Sequence, residues 1–127
     1  MRIVEPTARD VDLDVEVTPS NPQAARIGAK IRVGGTVVLF FGQGGVFEVP
    51  PGGGRYTNRS QLDEIEVLCS AVLEGRYEEV VTRSGRDIVG ARAKVVLADG
   101  PVSEVWREAS WKLFTRKQKE LYTYAPY

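Results

Sequence analysis

The chain has 127 residues, 43% of them hydrophobic and 27% charged, with seventeen basic residues balanced by seventeen acidic ones and no histidine. A length of this order supports one hydrophobic core without metal or disulfide, so a single domain over residues 1–127 is expected. The neutral balance excludes a whole-molecule field that would draw the chain to nucleic acid, and the missing imidazole removes the commonest general base and the usual zinc ligand.

The opening MRIVEPTARD lacks the charged-then-apolar pattern of a secretory leader, and no apolar run approaches the ~20 residues that span a bilayer, so a cytoplasmic protein without a membrane partner is expected. RDVDLDVEV then alternates with period two: Val11, Leu13, Val15 and Val17 on one side, Asp10, Asp12, Asp14 and Glu16 on the other. This reads as a half-buried strand whose acidic face answers Lys30 and Arg32 on a neighbour, rather than as a carboxylate pair for acid–base work. Residues 18–22 break it, and Ser20 caps a single helical turn through Arg26 that Gly28 would end. Ala29 to Val33 and Thr36 to Phe41 form a hairpin about Gly34-Gly35, its second strand TVVLFF apolar on both faces. Gly42-Gln43-Gly44-Gly45 reverses the chain into Val46 to Val49, and Pro50 to Gly54 belongs to neither regular element.

The long helix is expected over about 58–75, capped by Asn58 or Ser60 and stopped by Gly75, with Leu62, Ile65, Leu68, Cys69, Val72 and Leu73 on its apolar arc. Strands follow over Tyr77 to Thr82 and Ile88 to Leu97. A turn at Asp99-Gly100-Pro101 into Val102 to Thr115 would place Val95 opposite Val105 and Arg92 opposite Glu108. Arg116 to Glu120 reads as a turn or helical stub, and LYTYAPY as a last short strand or arm. The elements assemble as an α+β fold: a bent antiparallel sheet of about six strands with the helix packed on one face.

Neither glycine cluster matches a nucleotide fingerprint, because GQGG leads into a strand and PPGGGRYTNRS lacks the GxxxxGK[ST] pattern. Arg55 and Arg59, beside the helix start, are candidate anion-binding residues, since a guanidinium pairs with carboxylate or phosphate. The lone Cys69 reads as a small core hydrophobe.

The C-terminal segment interleaves aromatics with bases. Trp111, Arg116, Lys117, Tyr122, Tyr124 and Tyr127 are candidate protein-binding residues, because tyrosine, tryptophan and arginine dominate interface energetics. The competing reading puts Trp111 in the core and the tyrosines over a sheet edge.

No cofactor is implied. The expected function is a small non-catalytic protein-interaction module, inhibitory or immunity-like, whose partner is another protein or a second copy of the chain, with nucleic acid unfavoured. The alternative is a small-molecule-binding domain or minor enzyme with a pocket between helix and sheet, using Glu48 or Glu78 beside Tyr56 or Arg55.

Overall fold

The computed structural model describes residues 2–4, 13–108 and 116–127. The class is α+β, with one helix among the described residues and antiparallel pairing throughout the named strands. The strands divide into two sheets instead of one bent sheet of about six. The first holds β1 (Arg2–Val4), β2 (Leu13–Val17), β3 (Ile27–Ile31), β4 (Val37–Phe41) and β5 (Gly45–Val49) as a meander in chain order. The second is ordered β8-β7-β6-β9, from β6 (Tyr77–Ser84), β7 (Asp87–Leu97), β8 (Gly100–Arg107) and β9 (Gln118–Thr123). Helix α1 (Gln61–Leu73) joins the two sheets in sequence and packs on β7 and β5, while β5 also lies against β7 and β8.

Period-two alternation decides what each strand buries. Ile27, Val37, Leu39, Phe41, Phe47 and Val49 of the first sheet meet Tyr77, Ala93, Val95 and Leu97 of the second around Leu68, Ala71 and Val72 of the helix. Val38, on the other face of β4, is also buried, whereas Phe40 is partly exposed, so TVVLFF is enclosed along most of its length. A ladder of rings runs through this core: Tyr124–Tyr77, Tyr77–Phe41, Phe41–Phe47 and Phe47–Tyr56, with centroids 5.3–5.6 Å apart.

The helix is shorter than its expected span. Ser60, not Asn58, is the N-cap, accepting from the Asp63 amide at 3.4 Å. At the other end Gly75 (φ 78°) takes the left-handed position, with Arg76 N–H donating to Ala71 O and Gly75 N–H to Val72 O, which closes a Schellman motif. Its apolar arc is rotated from the expected one. Leu62 is 73% exposed, while Glu64 is fully buried. The expected turn of helix before Arg26 is instead an Asx turn, Asn21 Oδ1 accepting from Gln23 N–H at 3.0 Å, and Gly28 lies within β3.

Two registers differ from expectation. The β3–β4 hairpin forms, but Ile31 pairs with Val37, so its loop spans residues 32–36. The β7–β8 turn is Ala98-Asp99, and Val95 therefore faces Val102 while Arg92 faces Val105. Arg116 to Glu120 is no helical stub, since β9 begins at Gln118 and pairs with β6. Among the described residues no helix is long and apolar enough to cross a membrane.

Candidate functional site

Backbone amides of glycine-rich turns attract anions, and in this chain both such turns hold one of its own carboxylates. At the β4–β5 turn, Gln43 N–H donates to Glu79 Oε1 at 2.6 Å and Gly44 N–H to Oε2 at 3.2 Å. The Tyr124 hydroxyl adds a 2.8 Å bond to Oε1, and the Tyr77 hydroxyl donates to Oε2. Four donors thus satisfy a carboxylate that is 1% exposed. The glycines make room for it: a Cβ on Gly42 would lie 2.9 Å from Glu79 Oε1, and one on Gly45 would fall on the Tyr77 hydroxyl. Burial, then the neighbouring Glu79, pushes the Tyr77 phenol well above its usual range; burial, then the bond to Glu79, does the same to Tyr124.

The loop before the helix repeats the device. Glu64 Oε2 accepts from Thr57 N–H (2.9 Å), Thr57 Oγ1 (2.8 Å) and Tyr56 N–H (3.3 Å), so the amides of PPGGGRYTN face a resident glutamate. The Gln61 amide group fastens the same corner to Gly35 O and Val49 O, at 2.6 and 3.2 Å. Neither arrangement was visible from local pattern, because Glu79 lies 36 residues from the amide of Gln43 that it accepts from.

The residues singled out from sequence separate into several places. Arg55 and Arg59 both reach acids of this chain: Arg55 pairs with Glu104 at 3.2 Å and Glu48 at 3.9 Å, and Arg59 with Asp99 at 3.5 Å. Arg55 lines an open concavity of about 360 Å³ that also includes Asp99, the partner of Arg59. Tyr124 belongs to the Glu79 cluster. The Tyr127 hydroxyl donates to Ala25 O and its amide to Leu73 O, which binds that segment to the β2–β3 connection and the helix. Tyr122 donates to Glu120, and Arg83 reaches both; the Tyr122 bond, then Arg83, holds the Glu120 carboxyl below its usual range. Arg116 and Lys117 are exposed, and Trp111 lies outside the described residues. The inner helix face is filled by core side chains, with Leu68, Ala71 and Val72 fully buried.

A concavity of about 650 Å³ lies on the outer face of the second sheet. Register builds it in two rows. Leu121, Val80, Arg92 and Val105 stand side by side across β9, β6, β7 and β8, and Lys119, Thr82, Gly90 and Arg107 form the next row. Thr82 and Gly90 keep the middle low, and the β6–β7 register shifts just beyond Thr82, bending the sheet there. Among the described residues no acidic side chain lines the concavity. Arg92, Arg107 and Lys119 have no ion pair or side-chain hydrogen bond among the described residues. Beside them Val105 and Leu121 are 55% and 65% exposed. Sequence alone did not group these cations, because the expected β7–β8 register set Arg92 against Glu108 and Lys119 fell in the expected turn or stub over 116–120.

Among the described residues no cluster of three or more histidine, cysteine, aspartate or glutamate side chains is placed to hold a metal ion. The chain has no significant match among known protein families, curated proteins or solved structures.

Proposed function

We propose that this chain is a non-catalytic protein-interaction module whose working surface is the outer face of the four-stranded sheet, and that its partner presents acidic groups there. The observation that carries this reading is the coincidence on one concave face of exposed Val105 and Leu121 with three cations, Arg92, Arg107 and Lys119, that have no counter-ion among the described residues. Uncompensated positive charge speeds encounter with an acidic surface, and the aliphatic side chains supply area to bury once contact is made. Arginine suits both tasks, since its planar fork pairs with carboxylates and is weakly hydrated. In the cytoplasm such a face would mask an acidic region of a target, an inhibitory or immunity-like role. The carboxylates named for the pocket alternative have cationic partners instead, Glu48 pairing with Arg32 and Arg55 and Glu78 with Lys94.

The test places a photocrosslinking residue at position 105, identifies the protein captured in cells, and titrates that protein in purified form. Wild type is compared with R92E/R107E and with R59E in the loop before the helix. An acidic crosslinked peptide, with affinity at least tenfold weaker in R92E/R107E and unchanged in R59E, is expected. Binding insensitive to R92E/R107E, or lost only in R59E, would overturn the assignment of this face. A captured second copy of the chain would make the module a homodimer and overturn the separate partner.

A further inference from the structure

The outer face of the second sheet carries more charge than a single carboxylate can answer. Three strands each contribute one cation without an ion-pair partner among the described residues: Arg92 from β7, Arg107 from β8 and Lys119 from β9. Lys119 and Arg107 stand in the same row three strand spacings apart, roughly 14 Å between backbones, and Arg92 stands one row away. Between them the floor is Thr82, whose hydroxyl has no protein partner among the described residues, and Gly90. Gly90 is held small by its neighbours, because a Cβ there would lie 3.0 Å from Trp106 O.

A carboxylate brings one negative charge and two acceptor oxygens. A phosphate monoester brings nearly two charges at neutral pH and three acceptor oxygens, which two guanidinium forks, an ammonium and a hydroxyl can share. The concavity is also too large for an inorganic anion alone. Its apolar flank, Val80 and Val105, gives a place for the carbon stem that carries the phosphate. We infer that this concavity binds a phosphorylated side chain of the protein partner, an inference that rests on the proposed function and names the group recognised.

The experiment titrates the intact ¹⁵N-labelled chain with three probes: a capped phosphoserine peptide, the same peptide with glutamate in place of phosphoserine, and inorganic phosphate. The expected result is saturable shifts of the amides of Thr82, Gly90, Arg92, Arg107 and Lys119 with the phosphopeptide, at least tenfold tighter than with either other probe. That affinity should fall as pH drops through about 6, where the phosphate takes up its second proton, and the fall should be absent with the glutamate peptide. R92Q/R107Q should lose the binding and keep the wild-type spectrum away from the face. Equal binding of the phosphoserine and glutamate peptides would overturn the phosphate reading and leave the acidic-partner reading intact. Equal binding of inorganic phosphate and phosphopeptide would overturn the protein-borne source. Shifts confined to Arg55 and Arg59, or none at all, would overturn the site.

Discussion

The Tyr124 hydroxyl and the Glu79 carboxylate, 45 residues apart in the chain, meet at 2.8 Å beneath the GQGG turn. That one bond joins β9's exit, the middle of β6 and, through the same carboxylate, the β4–β5 turn of the other sheet. Removing the phenol in Tyr124→Phe should cost about 2 kcal/mol, the range for a hydrogen bond to a charged acceptor. Glu79→Gln should cost about 3 kcal/mol, because its amide group would turn a donor toward the donating N–H of Gln43 or Gly44. Urea unfolding of the two single variants and the double variant should give a double-variant loss smaller than the sum. Strict additivity would mean that the two groups do not act together.

Glycines of the two loops differ in what they tolerate. Gly45→Ala would drive a methyl group into the Tyr77 hydroxyl and to 3.0 Å from Phe41 O, and should cost at least ~2 kcal/mol through displaced core groups. Gly52→Ala, with nothing within 4 Å of the new Cβ and no positive φ, should be neutral or up to ~1 kcal/mol stabilising. Thermal melting of both variants checks the contrast, and equal effects would contradict it.

Helix α1 offers a similar contrast between two leucines of one turn and a half. Leu68→Ala, fully buried, should cost ~2–5 kcal/mol, whereas Leu62→Ala, 73% exposed, should stay within about 0.5 kcal/mol. Chemical denaturation distinguishes the outcomes.

Alkaline pH should weaken the fold from a definite point. Burial pushes the Cys69 thiol from 9.0 up to about 11, so across that interval the folded chain keeps a proton that the unfolded chain releases. Stability is therefore fully present below pH 9 and falls as pH rises from there, and the raised phenols of Tyr77 and Tyr124 extend the loss above pH 10. Urea midpoints should drop between neutral pH and about pH 10, with a shallower drop over the first part of that range in Cys69→Ala. In the folded chain Cys69 should also react slowly with a thiol reagent near pH 8, since the thiolate is the reactive form.

How much of this was legible in the sequence depended on how far each feature reaches along the chain. The Ser60 cap, the Gly75 stop and the hairpin about Gly34-Gly35 are written within a few residues, and the fold has all three. Period two tells which side chains share a face but not which strands share a sheet, so the division into two sheets lay beyond the pattern. The first half of β9 reads as a charged turn or stub because Lys119 and Glu120 obscure its alternation, as is usual for an edge strand protected by lysine, whereas Leu121 to Thr123 fall in the expected last strand. Glu64 counted as a polar residue outside the apolar arc, yet it is fully buried because the loop amides 7 and 8 residues before it need an acceptor. The cationic face depended on the β7–β8 register, and the expected turn began at Asp99, one residue after the observed Ala98-Asp99.

The closure at Tyr124 also sets a clock for the newborn chain. The Ala125 amide reaches Gln23 O, and Asn21 donates to the carbonyl of Pro126, so both sheets share contacts that only the last residues supply. At translation rates of 5–20 residues per second, Glu79 leaves the ribosome's catalytic centre roughly 2–9 s before Tyr124 is added. Through that interval the β6 edge that β9 will cover and the Tyr77 ring that Tyr124 will stack on have no partner from that strand. Synthesis speed over the stretch between them should therefore govern the yield of native protein, with slow codons there lengthening exposure of the uncovered edge to aggregation.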